Sequence, residues 1–516
     1  MHAPPQAPTT ATAGKVLLND RVRGLIGRLE QELAPWRERL LRQRAQRQAA
    51  FATATMQAAT APWRGERRTD PMPASLMDRR VELIGGVFRQ DLLTGLNSGA
   101  NTYIADLWNL HCTSPDQVVR AHRGLLLAAH RRLSAITGPK GRERIGTDVR
   151  TRLAFVPRPL QVNTGNEALV AGIAATTSAT LYDLCVYTVH NAAALIGRQD
   201  VVLLHLRGVT SPEEAAWYVR LFTLLETELG LNRGVIRATV MLDNVHAALG
   251  LDALLDALRH HGAGLALDPQ GYAADHIARF HGPDAPPLPD REGIGLNAPF
   301  LRALSLTAIR VAHQWGVHAL GAPAFVLPPD AGERQLDGFL EMLADKEREA
   351  VDGHDGTVVG HPGLVIAAMA EFAKCMPGVH QIDHHRTDHF GPEALVARPE
   401  GAITVESLVG MLRTTLRALA HRRLGRPVVV QGGRSHDRSS VQLALALLWQ
   451  WNQSRLGVIT SNTLPVQEDL LRFLVRKEAT KLFHEAPPAL REAGDRAADQ
   501  LLELVLGEAY PVLPAC

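Results

Sequence analysis

Three stretches of this chain carry residue types at spacings that could do chemistry. The first is Ser435-His436-Asp437, set just before a long apolar helical run. Serine, histidine and aspartate make up a hydrolytic triad, but adjacent residues cannot converge on one another and no GxSxG elbow is present. Read blandly, Asp437 is a helix N-cap, because an aspartate there accepts from the first unpaired N–H groups. The second stretch holds His380, Asp383, His384, His385, Asp388 and His389 in a predicted loop. Such side chains bind zinc and similar ions, yet there is no HExxH and no cysteine partner. In a chain with 22 histidines, an exposed His-rich loop is the expected reading. The third is DKEREAVDGHDGTVVGHPGL, Asp345 to Leu364, where glycines and histidines crowd a short apolar strand.

The elements around these residues alternate in type. Residues 17–50 place Val22, Leu25, Ile26, Leu29, Leu33, Trp36 and Leu40 on one helical face, with arginines and interleaved glutamates on the other. That arginine face is expected to be solvated rather than a nucleic-acid stripe. Strands are predicted at 81–85, 101–107, 152–158, 201–206, 235–242, 262–268, 293–297, 317–326 and 356–362, with amphipathic helical segments between several of them. This βαβ alternation, without a GxGxxG turn, predicts a (β/α)8 barrel of the TIM type rather than an open doubly wound sheet. An arginine at the end of such a strand, as Arg158 is, faces the catalytic mouth; its alternative is a structural salt bridge. Four regions are expected: a disordered tail at 1–15, an N-terminal helical extension at 16–79, the barrel at 80–371 and a C-terminal helical domain at 372–516.

Bulk properties exclude several classes. The 516 residues exceed the size at which one core keeps growing. A net charge of +2 gives no electrostatic case for a nucleic-acid or membrane partner. Cys112, Cys185, Cys375 and Cys516 are scattered, as expected for free thiols in a reducing compartment. No apolar run approaches the ~18 residues a bilayer demands. The first residues lack the basic and apolar regions of a secretory signal, and VLPAC is not a peroxisomal address. A cytoplasmic location is expected.

Motifs in a fixed order then narrow the reading. LAPWRERLLRQR, DRRVELIG, GLNSGANTYIADL, LYDLCVYTVHN, RGVIRATVMLD, LPDRE, NAPFLRALS, GHDGT…HPGL, QGGRSHDRSS and LLWQWNQS follow one another from about residue 20 onward. Together they resemble the malate synthases, which join acetyl-CoA to glyoxylate in the glyoxylate bypass. The resemblance implies a TIM-type barrel whose mouth is covered by a C-terminal helical plug. It also implies small-molecule substrates, an acyl-CoA and a 2-oxo acid, with Mg²⁺ as cofactor. The implied chemistry is a Claisen-type condensation. A base removes a proton from the acetyl methyl, an arginine stabilises the enolate, and a metal holds the acceptor.

Position by position, the resemblance puts the base at Asp437 and the enolate-stabilising arginine at Arg158. The first metal position falls on Asp243, an aspartate where the family has glutamate. The second falls on Gly271, which has no side-chain oxygen, so Asp268 or Asp275 becomes the candidate substitute and Asp268 and Gly271 the acceptor-cradling loop. An acidic run near the family's site reads Asp106-Leu107-Trp108-Asn109-Leu110 here, implying a drier, more apolar pocket lined by Trp108. The family's Leu-Pro-Lys reads Leu206-Arg207-Gly208, a displaced basic residue. His361 and Pro362 complete the implied substrate pocket. The alternatives are a CoA-thioester lyase or thioesterase with an altered acceptor, and a paralogue that binds CoA esters without turnover.

Overall fold

The computed structural model describes residues 17–49, 63–109, 114–136, 142–165, 172–329, 333–425 and 429–514. The expected tail at 1–15 and Leu110 lie outside them. Eight parallel strands close into a barrel in sequence order: β1 (Val81–Gly85), β2 (Thr102–Asp106), β3 (Arg152–Val156), β4 (Val202–Leu206), β5 (Ile236–Leu242), β6 (Gly262–Leu267), β7 (His318–Ala324) and β8 (Gly356–Val359). Most of their residues are buried, because one face packs inside the barrel and the other meets the surrounding helices. The predicted strand at 293–297 does not form. That segment follows a short 3₁₀ turn, Arg291–Gly293, and leads into the helix Pro299–Gln314. GIGLN is too short and glycine-rich to hold a strand where the barrel is already closed without it.

Charge fills part of the barrel interior. Arg79 reaches Glu82 on β1 at 2.9 Å and Thr239 on β5 at 2.9 Å, and lies 3.3 Å from His205 on β4. Burial works to raise the Glu82 carboxyl, but Arg79 and His205 hold it well below the ordinary range. The GHDGT stretch is a second buried network. Asp355 accepts from the Ala319 N–H at 2.7 Å and lies 3.1 Å from His313, while Glu349 accepts from Thr357 at 2.6 Å and from Lys346 at 3.1 Å. These groups tie the helix Glu333–Asp352 and β8 to β7, so much of this motif holds the barrel closed.

On the N-terminal helix, Asp20–Ala49, Arg21, Arg23, Arg28, Arg39 and Arg42 are exposed as expected, but Arg37 and Arg44 are not. Arg37 is 5% exposed and donates to the Leu160 carbonyl at 2.7 Å and the Asn163 side chain at 2.7 Å. Arg44 donates to Glu214 at 2.6 Å and to the Gly208 carbonyl at 2.7 Å. Periodicity separates apolar from polar faces, but it cannot tell a polar face in water from one docked on loops carrying free carbonyls. Here Arg37 and Arg44 clamp the loops that leave β3 and β4.

The C-terminal region contains the helices Val405–Arg423, Arg438–Gln453, Glu468–Phe483 and Pro488–Leu506. The helix Arg438–Gln453 is almost wholly buried, packing on the helices Pro269–Phe280 and Val405–Arg423. Its apolar residues run all round, the pattern of a helix enclosed on every side.

Candidate active site

Strand ends gather the charged residues. Asp106 closes β2, while Arg207, Asp243 and Asp268 each follow their strand directly. All sit at the C-terminal mouth, where barrel enzymes carry their chemistry. The plug helix enters the same mouth with its N-terminus foremost. Asp437 caps it, its Oδ1 accepting from the Ser440 N–H at 2.8 Å. The cap expectation and the proximity to the mouth are therefore both met by one residue.

Asp268 is the most heavily bonded carboxylate of the cluster. It accepts from Arg207 Nη1 at 2.5 Å, from Ser439 Oγ at 2.6 Å and from the Gly271 N–H at 3.0 Å. The second arm of Arg207 lies 3.5 Å from Asp106 Oδ2. Asp243 accepts from the Gly208 N–H at 2.8 Å and from Asn244 Nδ2 at 2.8 Å. Burial raises Asp106 as well, even with Arg207 beside it, and raises the two acids farther from Arg207 strongly. Burial, then the charge of Asp268, pushes Asp437 from 3.8 up to about 7, and the same two causes push Asp243 up to about 6. The Arg207 guanidinium is held firmly charged: burial opposes its charge, but Asp106, Asp268, Asp437 and Asp243 outweigh it.

Gly271 lies against both metal-position aspartates. A Cβ there would stand 2.9 Å from the Asp243 Cβ and 3.0 Å from Asp268 Oδ2. Positions 243 and 271 thus meet in space as the resemblance implies, but the room for a ligating side chain is closed. Among the described residues no group of three or more His, Cys, Asp or Glu is arranged to hold a metal ion. That also covers the described 380–389 loop, where the His384 carbonyl bonds to His313 and Asp388 pairs with Arg386.

Arg158 lies two residues past the end of β3, on the mouth side of the barrel. Its Nε and Nη2 bind Asp183 at 2.9 and 2.7 Å, and it is 3% exposed. Burial would raise the Asp183 carboxyl, but Arg158 and His122 hold it below its ordinary value. Arg158 thus makes a buried salt bridge with Asp183, while among the described residues Arg207 is the arginine hydrogen-bonded to Asp268 and Asp106. Sequence reading passed over Arg207 as a displaced neighbour, although its place immediately after a barrel strand was the available signal.

Trp108 and Asn109 dock the plug. The Arg438 guanidinium lies 4.2 Å from the centre of the Trp108 ring, and the Arg438 N–H donates to Asn109 Oδ1 at 3.2 Å. The tryptophan expected to dry the pocket is therefore covered by a charge. A cavity of about 330 Å³ opens beside this contact, bordered by Gly85, Tyr103, Phe325, His361, Pro362 and Asp437. Its size and largely apolar lining suit the acyl end of a ligand. His436 borders it too, bonded through Nδ1 to Ser440 Oγ at 2.7 Å. Burial, then Arg291, pushes this imidazole down to about 3, so it stands neutral beside Asp437.

Fold and site together define a (β/α)8 barrel that carries a cluster of buried acids and an arginine between its mouth and a C-terminal helix. A family model described as malate synthase, TIM barrel domain, matches residues 162–395. A malate synthase of Streptomyces clavuligerus is 30% identical over 98% of this chain and 96% of its own length. One from Myxococcus xanthus is 32% identical over 75% of this chain and 71% of its own. Among solved structures, a Haloferax volcanii malate synthase in a pyruvate/acetyl-CoA ternary complex is similar over 83% of this chain and 98% of its own, at 13% identity and a TM-score of 0.47. The chain belongs to the malate synthase family, and it is an acyltransferase.

Proposed function

We propose that this chain condenses acetyl-CoA with glyoxylate to give malate and CoA, with Asp437 as the base. The observation that carries the assignment is a carboxyl at a helix N-cap, bordering an apolar cavity and held near neutral pH. A base poised near the working pH is the one best suited to take a proton from a weak carbon acid. Asp437 Oδ1 is fixed by the Ser440 N–H, so the carboxyl is oriented by the helix it caps. The acetyl methyl, lying in the cavity, loses a proton to Asp437 and becomes an enolate. The enolate carbon bonds to the aldehyde carbon of glyoxylate, whose oxygen takes up a proton. Water then cleaves the thioester, releasing malate and the CoA thiol.

Arg207 is assigned the positive charge that stabilises the enolate oxygen. Of its five N–H bonds, three are directed at Asp268, Ser439 and Asp106 among the described residues. The others are available to an oxyanion, and a guanidinium already fixed by two carboxylates pays no reorganisation cost in the transition state. Arg158 is assigned to positioning: through Asp183 it anchors the loop after β3 to the helix Ala179–Ile196. Asp106, Asp243 and Asp268 form the floor of the site, and His361 and Pro362 its acyl-side wall. A cytoplasmic setting and small-molecule substrates belong to the same reading; no helix of the described residues is long and apolar enough to cross a membrane.

Release of CoA thiol from acetyl-CoA tests this. Glyoxylate-dependent release in the wild type, lost in Asp437→Asn, supports the assignment. Full activity in Asp437→Asn refutes it. Glyoxylate-independent release would indicate a thioesterase instead.

A further inference from the structure

The family resemblance implies a divalent metal at the barrel mouth, and the donor chemistry here does not fit one. Magnesium wants a few carboxylate oxygens in octahedral array, with water and substrate completing the set. Position 271 offers no oxygen, and a side chain there would collide with Asp243 and Asp268. Asp268 already accepts from a guanidinium, a hydroxyl and a backbone N–H. Asp243 has both oxygens engaged by the Gly208 N–H and Asn244.

From this we infer that the Arg207 guanidinium is the resident cation of the site, standing in for the divalent ion, and that the protein is metal-independent. The inference rests on reading this mouth as the reaction centre. Arg207 lies between Asp268 and Asp106 and carries the charge that a metal would otherwise supply to the cluster. Unlike a metal, it cannot exchange with solvent. Being planar and always charged, it can bridge two carboxylates without their moving. Two further features agree with a built-in cation. The plug helix delivers Ser439 to the same Asp268 oxygen that Arg207 binds, so the pair is completed by the closed plug. Asp268 also caps the helix Pro269–Phe280 with its own side chain, so this helix start is already matched by a negative charge.

The test is a manganese titration of protein stripped with chelator, read by the paramagnetic signal of free Mn²⁺, on the full chain. The wild type is expected to show no saturable site up to millimolar Mn²⁺. Arg207→Met is expected to gain one, competed by Mg²⁺, because two carboxylates then lack their cation. Stoichiometric Mn²⁺ uptake by the wild type, abolished in Asp268→Asn, overturns the inference. So does a folded Arg207→Met that still takes up no metal, since Arg207 would then not be what excludes it. If that variant does not fold, the wild-type titration decides alone. Thiol release is assayed separately, with and without chelator. An inactive but metal-free wild type sinks the proposed reaction and leaves the cation assignment standing. Activity that needs Mg²⁺ does the reverse.

Discussion

Replacing Asp437 with asparagine separates the charge of this residue from its shape. Asparagine caps helices as well as aspartate does, so its side-chain oxygen should keep the bond from the Ser440 N–H. What it loses is the ionisable carboxyl, which burial and Asp268 raise from 3.8 to about 7. The folded protein therefore holds a proton on Asp437 between about pH 4 and pH 7, where the unfolded chain has released it. Because the folded state binds the extra proton, stability falls as pH rises through that window and the full penalty is present above about 7. At ~1.4 kcal/mol per pH unit, and allowing for relaxation around the charge, the penalty is on the order of 2–4 kcal/mol. Asp437→Asn should thus be more stable than wild type at pH 8, by a few °C in Tm, and nearly equal to it at pH 4. The same variant should lose about 10²–10⁴-fold in thiol release, the range for removing a general base. Thermal unfolding at pH 4, 6 and 8 and a thiol assay at pH 8 check both halves. A variant less stable than wild type at pH 8 would refute the reasoning, as it would show Asp437 to be a compensated charge.

Four further outcomes follow from the geometry. In the wild type, kcat/KM should rise with pH through about 7 as Asp437 loses its proton, because only the carboxylate is a base; a pH–rate profile flat between 6 and 8 would argue against it. Arg158→Met should cost ~3 kcal/mol by leaving buried Asp183 with only His122 to offset its charge, measured by urea unfolding, and Arg158→Met with Asp183→Asn should recover part of that loss. Arg44→Ala removes a partner of buried Glu214 and of the Gly208 carbonyl, whose own N–H holds Asp243; a loss of ~1–3 kcal/mol is expected, with activity falling at subsaturating substrate. Gly271→Asp should destabilise by ~1–3 kcal/mol through crowding of Asp243 and Asp268, and should not create a manganese site while Arg207 is present.

The barrel was legible because its signals are local and repeated. Strand runs such as VVLLHL and VIRATVML lie close to β4 and β5, since eight buried parallel strands each need a short apolar stretch. GIGLN misled because a short glycine-rich run reads alike in a strand and in a turn. Asp437 was legible as a cap from the helical run it precedes, and as a candidate base from the motif around it.

What the sequence determined was the fold, the order of the motifs and the presence of acids and arginines at strand ends. It could not rank Arg158 against Arg207, because the choice depends on which carboxylate each guanidinium meets. Asp183 lies 25 residues beyond Arg158 and takes it; Asp268 lies 61 residues beyond Arg207 and takes that. Nor could it show that the first turn at Gly271 presses on Asp243, or that Trp108 lies under Arg438. Electrostatic pairing is screened within about 10 Å in water and strengthens when buried. The closing of the barrel therefore decided which charges would be partners, and the docking of the helix that Asp437 caps decided which acid would keep its proton.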